Sequence, residues 1–285
     1  MNLLTLALSA AFIGIWASAF TAARIVALET PPLWALGIRF AICVPLLALI
    51  VLATRAPMPA RPDMPRVLAM GVFGLGGYLA CAWVASAHIS SGLVALLCAT
   101  TPIFVALGER LWRGVQLPSA AWLGLGLGWT GVALLAAPRA MGHGLDALGI
   151  GLALAAALSQ ALGMLILAPA RGRIAPWSAN LWQTCAGAVL VLALAVTLES
   201  PPGLEHSFAG WAAFTWSVLV VGLLAYFLYF TLLGRLGPTG AASLQLLAPP
   251  VAALIGWIGL GEVLRLTDIL GGCITLLGLW LLLRR

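Results

Sequence analysis

The sequence predicts an all-α membrane protein of ten transmembrane helices, arranged as two inverted repeats of five helices each. Its composition is the first indication, because 63% of the 285 residues are hydrophobic, 8% are charged, and the mean hydropathy is +1.11. A soluble domain of this length cannot bury so much apolar sequence, whereas a bilayer provides an apolar solvent for it. The length of the apolar stretches and an internal duplication are the second and third indications.

Ten continuous apolar stretches fill the chain, each close to the roughly 20 residues that cross a bilayer as a helix. They lack the alternation with a period of two that barrel strands need. Short segments rich in proline, glycine and polar residues separate them, for example Thr30 to Pro32 and Ser200 to Gly203. The predicted spans are 3–26, 32–53, 67–87, 91–111, 118–137, 145–168, 177–198, 208–232, 239–260 and 266–283.

The second half of the chain repeats features of the first at a shift of 148 or 147 positions. The aligned pairs are Tyr78 with Tyr226, Gly92 with Gly240, Pro102 with Pro250, Gly124 with Gly271, and Gly131 with Gly278. We therefore divide the chain into repeat 1, residues 1–138, and repeat 2, residues 145–285. Because each repeat has an odd number of spans, the two must be inverted relative to each other, a ground plan common in secondary transporters.

The net charge of +6 does not indicate nucleic-acid binding, because the basic residues, all 14 of them arginines, lie mostly in the loops on one side of the predicted membrane. If the N-terminus is cytoplasmic, only Arg139 and Arg265 fall in outer loops. Ten fall on the inner side: Arg55, Arg61, Arg66, Arg110, Arg113, Arg171, Arg173, Arg235, Arg284 and Arg285. By the positive-inside rule this asymmetry predicts that both termini are cytoplasmic.

Motifs for enzyme catalysis are missing from the sequence. It contains no Walker loop, no HExxH, no GxSxG and no pair of carboxylates deep in a span. The histidines, His88, His143 and His206, are scattered over predicted outer loops, and the five cysteines lie within spans without the spacing of metal ligands. We therefore expect no enzyme activity, no catalytic residue, no metal and no cofactor.

Prolines within two spans mark the predicted substrate pathway. Pro102 lies in the fourth span, and Pro249 and Pro250 lie in the ninth. A proline inside a helix removes a backbone donor and leaves a carbonyl unpaired, which a membrane protein tolerates only against protein or a wet cavity. The equivalent placement in both repeats favours a kink at a substrate site. A bend that serves helix packing alone is the alternative.

Polar and aromatic residues on the spans around these kinks form the predicted substrate-binding set. Each of them could instead make a hydrogen bond between helices. The set is Trp16, Arg39, Tyr78, Thr100, Thr101, Ser159, Gln160, Trp182, Tyr226, Tyr229, Ser243 and Gln245. Since no Asp or Glu lies near the middle of a span, the lining predicts a neutral or zwitterionic substrate and argues against simple carboxylate-based proton coupling.

Arg39 lies about seven residues, or roughly 10 Å, into the second span. A charge at that depth is costly and usually faces the protein interior. Arg39 could bind a substrate carboxylate. Alternatively, it could extend to the outer interface or pair with Glu29 or Glu262.

Glycines on one face of the fifth span, Gly124, Gly128 and Gly131, allow another helix to approach closely. That contact can lie within one chain or between two chains. The sequence therefore predicts either a monomer or a homodimer.

Motifs along the whole chain resemble those of the drug/metabolite transporter superfamily, and its EamA-type exporters in particular. They are IWASAF (15–20), IRF (38–40), the proline-bearing stretches 92–107 and 240–264, which ends in LGEVL (260–264), and WLGLGLGWTGVALL (122–135). Two positions depart from the pattern. Val115 stands where the repeat-end glutamate is expected, and Ser159 stands where the first-span tryptophan would recur.

The resemblance implies a multi-pass protein of the bacterial inner membrane whose spans 1–4 and 6–9 line a central cavity. The family exports amino acids and other metabolites, and aromatic amino-acid exporters are the group most similar to this chain. We therefore expect a secondary transporter of broad specificity that exports amino acids or similar small metabolites by alternating access. Its partners would be that small-molecule substrate and the lipid bilayer. A membrane channel, or a carrier of lipophilic drugs or sugar nucleotides, are the alternatives.

Overall fold

The computed structural model describes residues 3–89, 91–140, 146–203, 207–251 and 266–283. Within these ranges every regular element is a helix, which confirms the predicted all-α class. Seven helical segments in the described ranges are long and apolar enough to cross a bilayer, and two further apolar helices are shorter. The chain is therefore a multi-pass membrane protein.

The described α-helices are numbered in chain order. They are α1 Leu3–Glu29, α2 Pro32–Thr54, α3 Met64–Ala69, α4 Tyr78–His88, α5 Ser91–Cys98, α6 Thr101–Arg113, α7 Ser119–Ala140, α8 Ala147–Leu167, α9 Pro176–Leu198, α10 Phe208–Trp216, α11 Tyr226–Ser243 and α12 Leu266–Leu283. Two π-helices, Met70–Gly77 and Ser217–Ala225, connect α3 to α4 and α10 to α11. Short 3₁₀ turns, Ala168–Ala170 and Leu244–Leu247, follow α8 and α11.

Helix starts are set by prolines and by caps. Pro32 opens α2, where a missing backbone donor costs nothing, and the Glu199 carboxylate accepts the free amides of Leu33 and Trp34 at 3.0 and 3.1 Å. Asp146 and Ser207 cap α8 and α10 by accepting backbone amides with their side-chain oxygens at 2.9 Å.

The segment Phe208–Val251 is helical over 44 residues, or about 66 Å, which is twice the thickness of a hydrocarbon core. Gly237 interrupts it, with φ 74° and ψ 176°, and Pro238 follows. Because only glycine adopts that conformation without strain, the residue separates the segment into two helical pieces.

The glycines of α7 pack against the glycines of α12. A methyl group on Gly124 would lie 2.5 Å from the Gly278 carbonyl oxygen, and one on Gly131 would lie 2.5 Å from the Gly271 carbonyl oxygen. The two backbones are thus in direct contact, as small residues permit. The glycine face predicted on the fifth span therefore serves packing within the chain.

Candidate functional site

A largely enclosed cavity lies between helices of the two halves of the chain. Helices α1, α2 and α4 contribute Trp16, Phe20, Arg39, Tyr78, Trp83 and Ser86, and the second half contributes Ser217, Val221 and Tyr226. The space open to the centres of water molecules is about 30 Å³, enough for about two waters. The structure is therefore closed around this site. Four of the predicted site residues meet here: Trp16, Arg39, Tyr78 and Tyr226.

Trp16 is the centre of an aromatic cluster at one end of the cavity. Its ring lies 6.4 Å from Tyr78 in a stacked arrangement, 5.6 Å from Tyr226 edge to face, and 6.4 Å from Tyr229. Phe12 closes the cluster at 5.1 Å. The hydroxyls of both Tyr226 and Tyr229 are buried without a hydrogen-bond partner among the described residues. The cluster therefore combines apolar faces with unsatisfied hydroxyls, an arrangement suited to an amphipathic ligand.

Arg39 lines the same cavity and is 2% exposed. Its Nε and Nη2 atoms find no hydrogen-bond partner in the described part of the chain. The guanidinium carbon lies 5.7 Å from the centre of the Phe40 ring and 5.9 Å from that of Trp83. Such ring contacts stabilise a cation by only about 0.5–2 kcal/mol, so the site keeps a buried positive charge with free donors. The alternative that Arg39 extends to the outer interface does not fit this burial.

All five carboxylates whose side chains the structure describes are engaged elsewhere. Glu29 binds Ser207, Asp63 binds Arg66 and Arg173, Glu109 binds Arg113 and Thr239, Asp146 binds His88, and Glu199 binds the start of α2. Glu29 is therefore committed to a serine, although it was a candidate partner of Arg39. The other candidate, Glu262, lies outside the described residues.

The two π-helices occupy equivalent places, since a shift of 148 carries Met70–Gly77 onto the last eight residues of Ser217–Ala225. Each ends directly before one of the duplicated tyrosines, Tyr78 or Tyr226. A π-helix leaves carbonyls without their usual partners and often marks a functional site. Sequence periodicity did not reveal these segments, because an entirely apolar stretch has no polar face by which a change of helical pitch could be detected.

Side chains from neighbouring helices donate hydrogen bonds to carbonyls of both π-helices. Ser159 donates its hydroxyl to the Phe73 carbonyl at 2.8 Å, and Asn180 donates its amide to the Gly222 carbonyl at 3.0 Å. Ser159 was predicted to bind substrate, and the structure places it in this supporting contact. Asn180, which is fully buried, was missed, because a single asparagine near the start of a span gives no signal of its own.

Other predicted site residues make contacts within or between helices. Thr101 donates to the Gln160 side-chain oxygen at 3.2 Å, which joins α6 to α8. Thr100 and Ser243 donate to carbonyls of their own turns, and the Trp182 indole nitrogen lies 3.4 Å from the Met58 sulfur. The structure does not bring these five to the cavity around Arg39.

The proline-bearing segments are broken helices. Thr100 occupies the N-cap position of α6, so that Pro102 stands in the first turn, where no backbone donor is needed. In the second half, the 3₁₀ turn Leu244–Leu247 precedes Pro249 and Pro250, and the Ala248 amide bonds to the Gln245 carbonyl. The Gln245 side chain is buried, and its amide nitrogen has no partner among the described residues.

Contacts between the two halves close both ends of the bundle. At one end Arg173 binds Asp63 at 2.7 Å, and this hydrogen bond lowers the pKa of the Asp63 carboxyl below its ordinary value. At the other end His88 lies 2.8 Å from Asp146, and the hydrogen bond from His88 lowers the pKa of Asp146. The Glu29 carboxylate also accepts from the Ser207 hydroxyl there, at 2.5 Å. Opening either end requires that such pairs separate.

Comparison with known proteins agrees with this architecture. A "Probable terminal-alkyne amino-acid exporter" of Streptantibioticus cattleyicolor is 28% identical over 95% of this chain and 90% of that protein. The "Uncharacterized transporter YdfC" of Bacillus subtilis is 30% identical over 93% and 86%. The "Uncharacterized inner membrane transporter YedA" of Escherichia coli is 29% identical over 87% and 79%.

One solved crystal structure, 17% identical in sequence, superposes with a TM-score of 0.75 over 99% of this chain and 96% of its own, a likeness that concerns the fold alone. The sequence model of the EamA-like transporter family matches the chain twice, over residues 2–137 and 147–284. The resemblance noted in the sequence is thereby confirmed, and the chain belongs to the EamA-like transporter family.

Proposed function

We propose that this protein is a secondary transporter that exports amino acids or similar small metabolites across the inner membrane by alternating access. The observation that carries the proposal is the closed cavity between the two halves, which both halves line and which contacts at both ends seal. A site at the interface of two structural repeats is the expected geometry of a carrier whose repeats rock against each other.

Ten spans in two inverted repeats, 1–138 and 145–285, fit the contacts of the chain. Gly124 corresponds to Gly271 and Gly131 to Gly278 in the sequence alignment, yet Gly124 contacts Gly278 and Gly131 contacts Gly271. The equivalent helices α7 and α12 therefore cross in antiparallel fashion about a local two-fold axis. The two matches to the family model, one per half, support the same division.

The loops support the inversion as well. The loop between the second and third spans, with Asp63, meets the loop between the first two spans of the second half, with Arg173. In parallel repeats, loops at the same position in each half would lie on the same side of the membrane. Here the second loop of one half meets the first loop of the other, as inverted repeats require. At the opposite end Glu29, which ends the first span, meets Ser207, which begins the eighth.

The positive-inside rule assigns the Asp63–Arg173 end to the cytoplasm, together with both termini. In that orientation the cavity, which extends from Trp16 to Ser86, lies in the outer half of the membrane. Trp16 and the tyrosines around it then separate the cavity from the cytoplasm. Substrate release to the outside would require that the His88–Asp146 end opens and the cavity widens.

An amino-acid substrate is supported by the lining and by one relative. The cavity presents aromatic rings, hydroxyls and one cation, which suits a small zwitterion with an apolar portion. The relative named as a terminal-alkyne amino-acid exporter is similar over nearly the whole chain. A sugar nucleotide would require several cations for its phosphates, and Arg39 is the sole cation lining this cavity in the described part of the chain.

Counterflow in liposomes tests the proposal. Purified protein is reconstituted with unlabelled amino acids inside, and uptake of each labelled amino acid is measured with and without a pH gradient. A carrier gives saturable uptake that internal substrate accelerates, whereas a channel gives uptake that does not respond to internal substrate. Absence of flux for every amino acid in the panel would refute the assignment of substrate class.

A further inference from the structure

We infer that Arg39 binds the carboxylate of the transported molecule, so that the cavity selects α-amino acids with an apolar side chain. This inference rests on the proposed function and specifies its substrate. Three features of the cavity support it: the charge of Arg39, two serine hydroxyls in the lining, and the apolar residues beside them.

The charge of Arg39 is unusual because it is buried without compensation among the described residues. A guanidinium cannot lose its proton under physiological conditions, and it presents a planar fork of donors that matches a carboxylate. Leaving buried donors unpaired is unfavourable, and an ionisable group inside a membrane protein is by default a candidate functional site. The free Nε and Nη2 atoms are adjacent in the fork, and adjacent donors form the bidentate contact with a carboxylate.

Arg24 shows how a membrane-embedded arginine of this chain is satisfied when its role is structural. Its Nη1 atom donates to the carbonyls of Ser86 and Ile89 at 2.9 and 3.0 Å, where it closes the end of α4. Among the described residues Arg39 has no such carbonyl, and every described carboxylate has another partner. No described residue supplies an anion to Arg39, and the cavity beside it, when it widens, is where a small molecule can supply one.

Two serines in the cavity lining can bind the ammonium group of an amino acid. The hydroxyl of Ser86 donates to the Ala82 carbonyl at 2.8 Å, and that of Ser217 donates to the Phe214 carbonyl at 2.7 Å. Because each proton is already committed, both oxygens present only lone pairs to the cavity. The two serine oxygens can therefore accept hydrogen bonds from an ammonium group, whereas the N–H groups of Arg39 can only donate, which suits a carboxylate.

Apart from the hydroxyls of Tyr78 and Tyr226 and the indole nitrogen atoms of Trp16 and Trp83, the rest of the lining is apolar. Phe20, Leu79 and Val221 line this part of the cavity, and none of them can form a hydrogen bond with a charged or amide side chain. A polar substrate side chain would lose its hydration there without compensation. The same lining gains free energy from an aliphatic or aromatic side chain in proportion to the area it buries.

Competition experiments on the unmodified protein test the inference. Counterflow of labelled L-leucine is measured against external L-leucine, L-leucinamide, which lacks the carboxylate, and 4-methylpentanoate, which lacks the amine. A charge-assisted hydrogen-bonded pair makes a difference of about 10- to 100-fold in affinity. L-leucinamide should therefore compete about 10- to 100-fold more weakly than L-leucine, and 4-methylpentanoate should compete more strongly than the amide.

The variants Arg39→Gln and Arg39→Lys locate the effect. Arg39→Gln should abolish the preference for acid over amide, and Arg39→Lys, which keeps a charge but loses the planar fork, should retain part of it. Arg24→Gln is the matched control, because it removes an arginine charge from the neighbouring span. It should lower thermal stability in detergent and leave the acid-to-amide preference unchanged.

Failure of the inference differs from failure of the proposed function. If the wild-type protein carries L-leucine but L-leucinamide competes equally well, the carboxylate role of Arg39 is refuted and the transporter assignment stands. If polar amino acids are carried and L-leucine is not, the apolar specificity is refuted. If no amino acid is carried at all, the proposed function fails.

Discussion

Substituting alanine at Gly131 tests whether the contact between α7 and α12 holds the two halves of the chain together. A methyl group at this position would lie 2.5 Å from both the Gly271 carbonyl oxygen and the Thr275 hydroxyl, and 2.6 Å from the Thr275 amide nitrogen. Real contacts of this kind are not shorter than 3.0 Å, so the helices must separate locally by about 0.5 Å or more. Two of the three atoms belong to the backbone and cannot rotate away.

The expected cost follows from overpacking a rigid contact, which destabilises by about 1–3 kcal/mol. Gly126→Ala is the matched control, because Gly126 lies on the same helix and an added methyl group meets nothing within 4 Å. That control should be neutral or more stable by up to about 1 kcal/mol, the helix propensity gained over glycine. Thermal unfolding of the purified variants in detergent measures both.

The comparison of the two variants decides the outcome. Gly131→Ala should unfold at a lower temperature than the wild type, and Gly126→Ala should not. If Gly131→Ala is as stable as Gly126→Ala, the close approach of α7 and α12 described above is wrong. The support that the pairs Gly131–Gly271 and Gly124–Gly278 give to inverted repeats would then be lost as well.

Two further predictions concern polar groups. Arg173 lowers the pKa of Asp63. The ion pair therefore stabilises the folded protein in full above about pH 4, the ordinary pKa of an aspartate. That stabilisation is lost as the pH falls through the lowered pKa. Asp63→Asn should therefore unfold at a lower temperature than the wild type at pH 7 in detergent, and this difference should shrink in acid. A difference that does not depend on pH would contradict the ionic role of Asp63. Gln245→Ala should reduce counterflow while leaving stability unchanged or raised, since it removes a buried amide nitrogen without a partner. Normal counterflow would remove Gln245 from the predicted substrate-binding set.

Much of the helical organisation is predictable from the sequence, because it depends on local composition. Continuous apolar stretches gave helices whose described bounds lie close to the predicted spans, for example Pro32–Thr54 for 32–53 and Pro176–Leu198 for 177–198. Prolines and glycines predicted interruptions for the same local reason. The break at Gly237 falls in the predicted loop between the span that ends at residue 232 and the span that begins at residue 239.

The candidate site was only partly predictable. Trp16, Tyr78 and Tyr226 lie together in one cluster, and the internal duplication had marked the two tyrosines in the sequence. Thr100 and Ser243 instead satisfy carbonyls of their own helices. A hydroxyl on an apolar helix can face inward, bond to its own backbone or reach a neighbour, and a single sequence does not distinguish these options.

By itself, the sequence determined that the chain lies in a membrane, that it is helical, and that its halves are related, since hydropathy and repetition are properties of the linear chain. The tertiary structure alone decided which faces of the described helices line the cavity, where the helices widen into π-helices, and whether a described residue pairs with Arg39. Spans that are apolar on every side carry no periodic signal for orientation. Whether a buried arginine is neutralised depends on where carboxylates that are distant in sequence lie in the fold. In this chain the carboxylates that the structure describes bind groups other than Arg39.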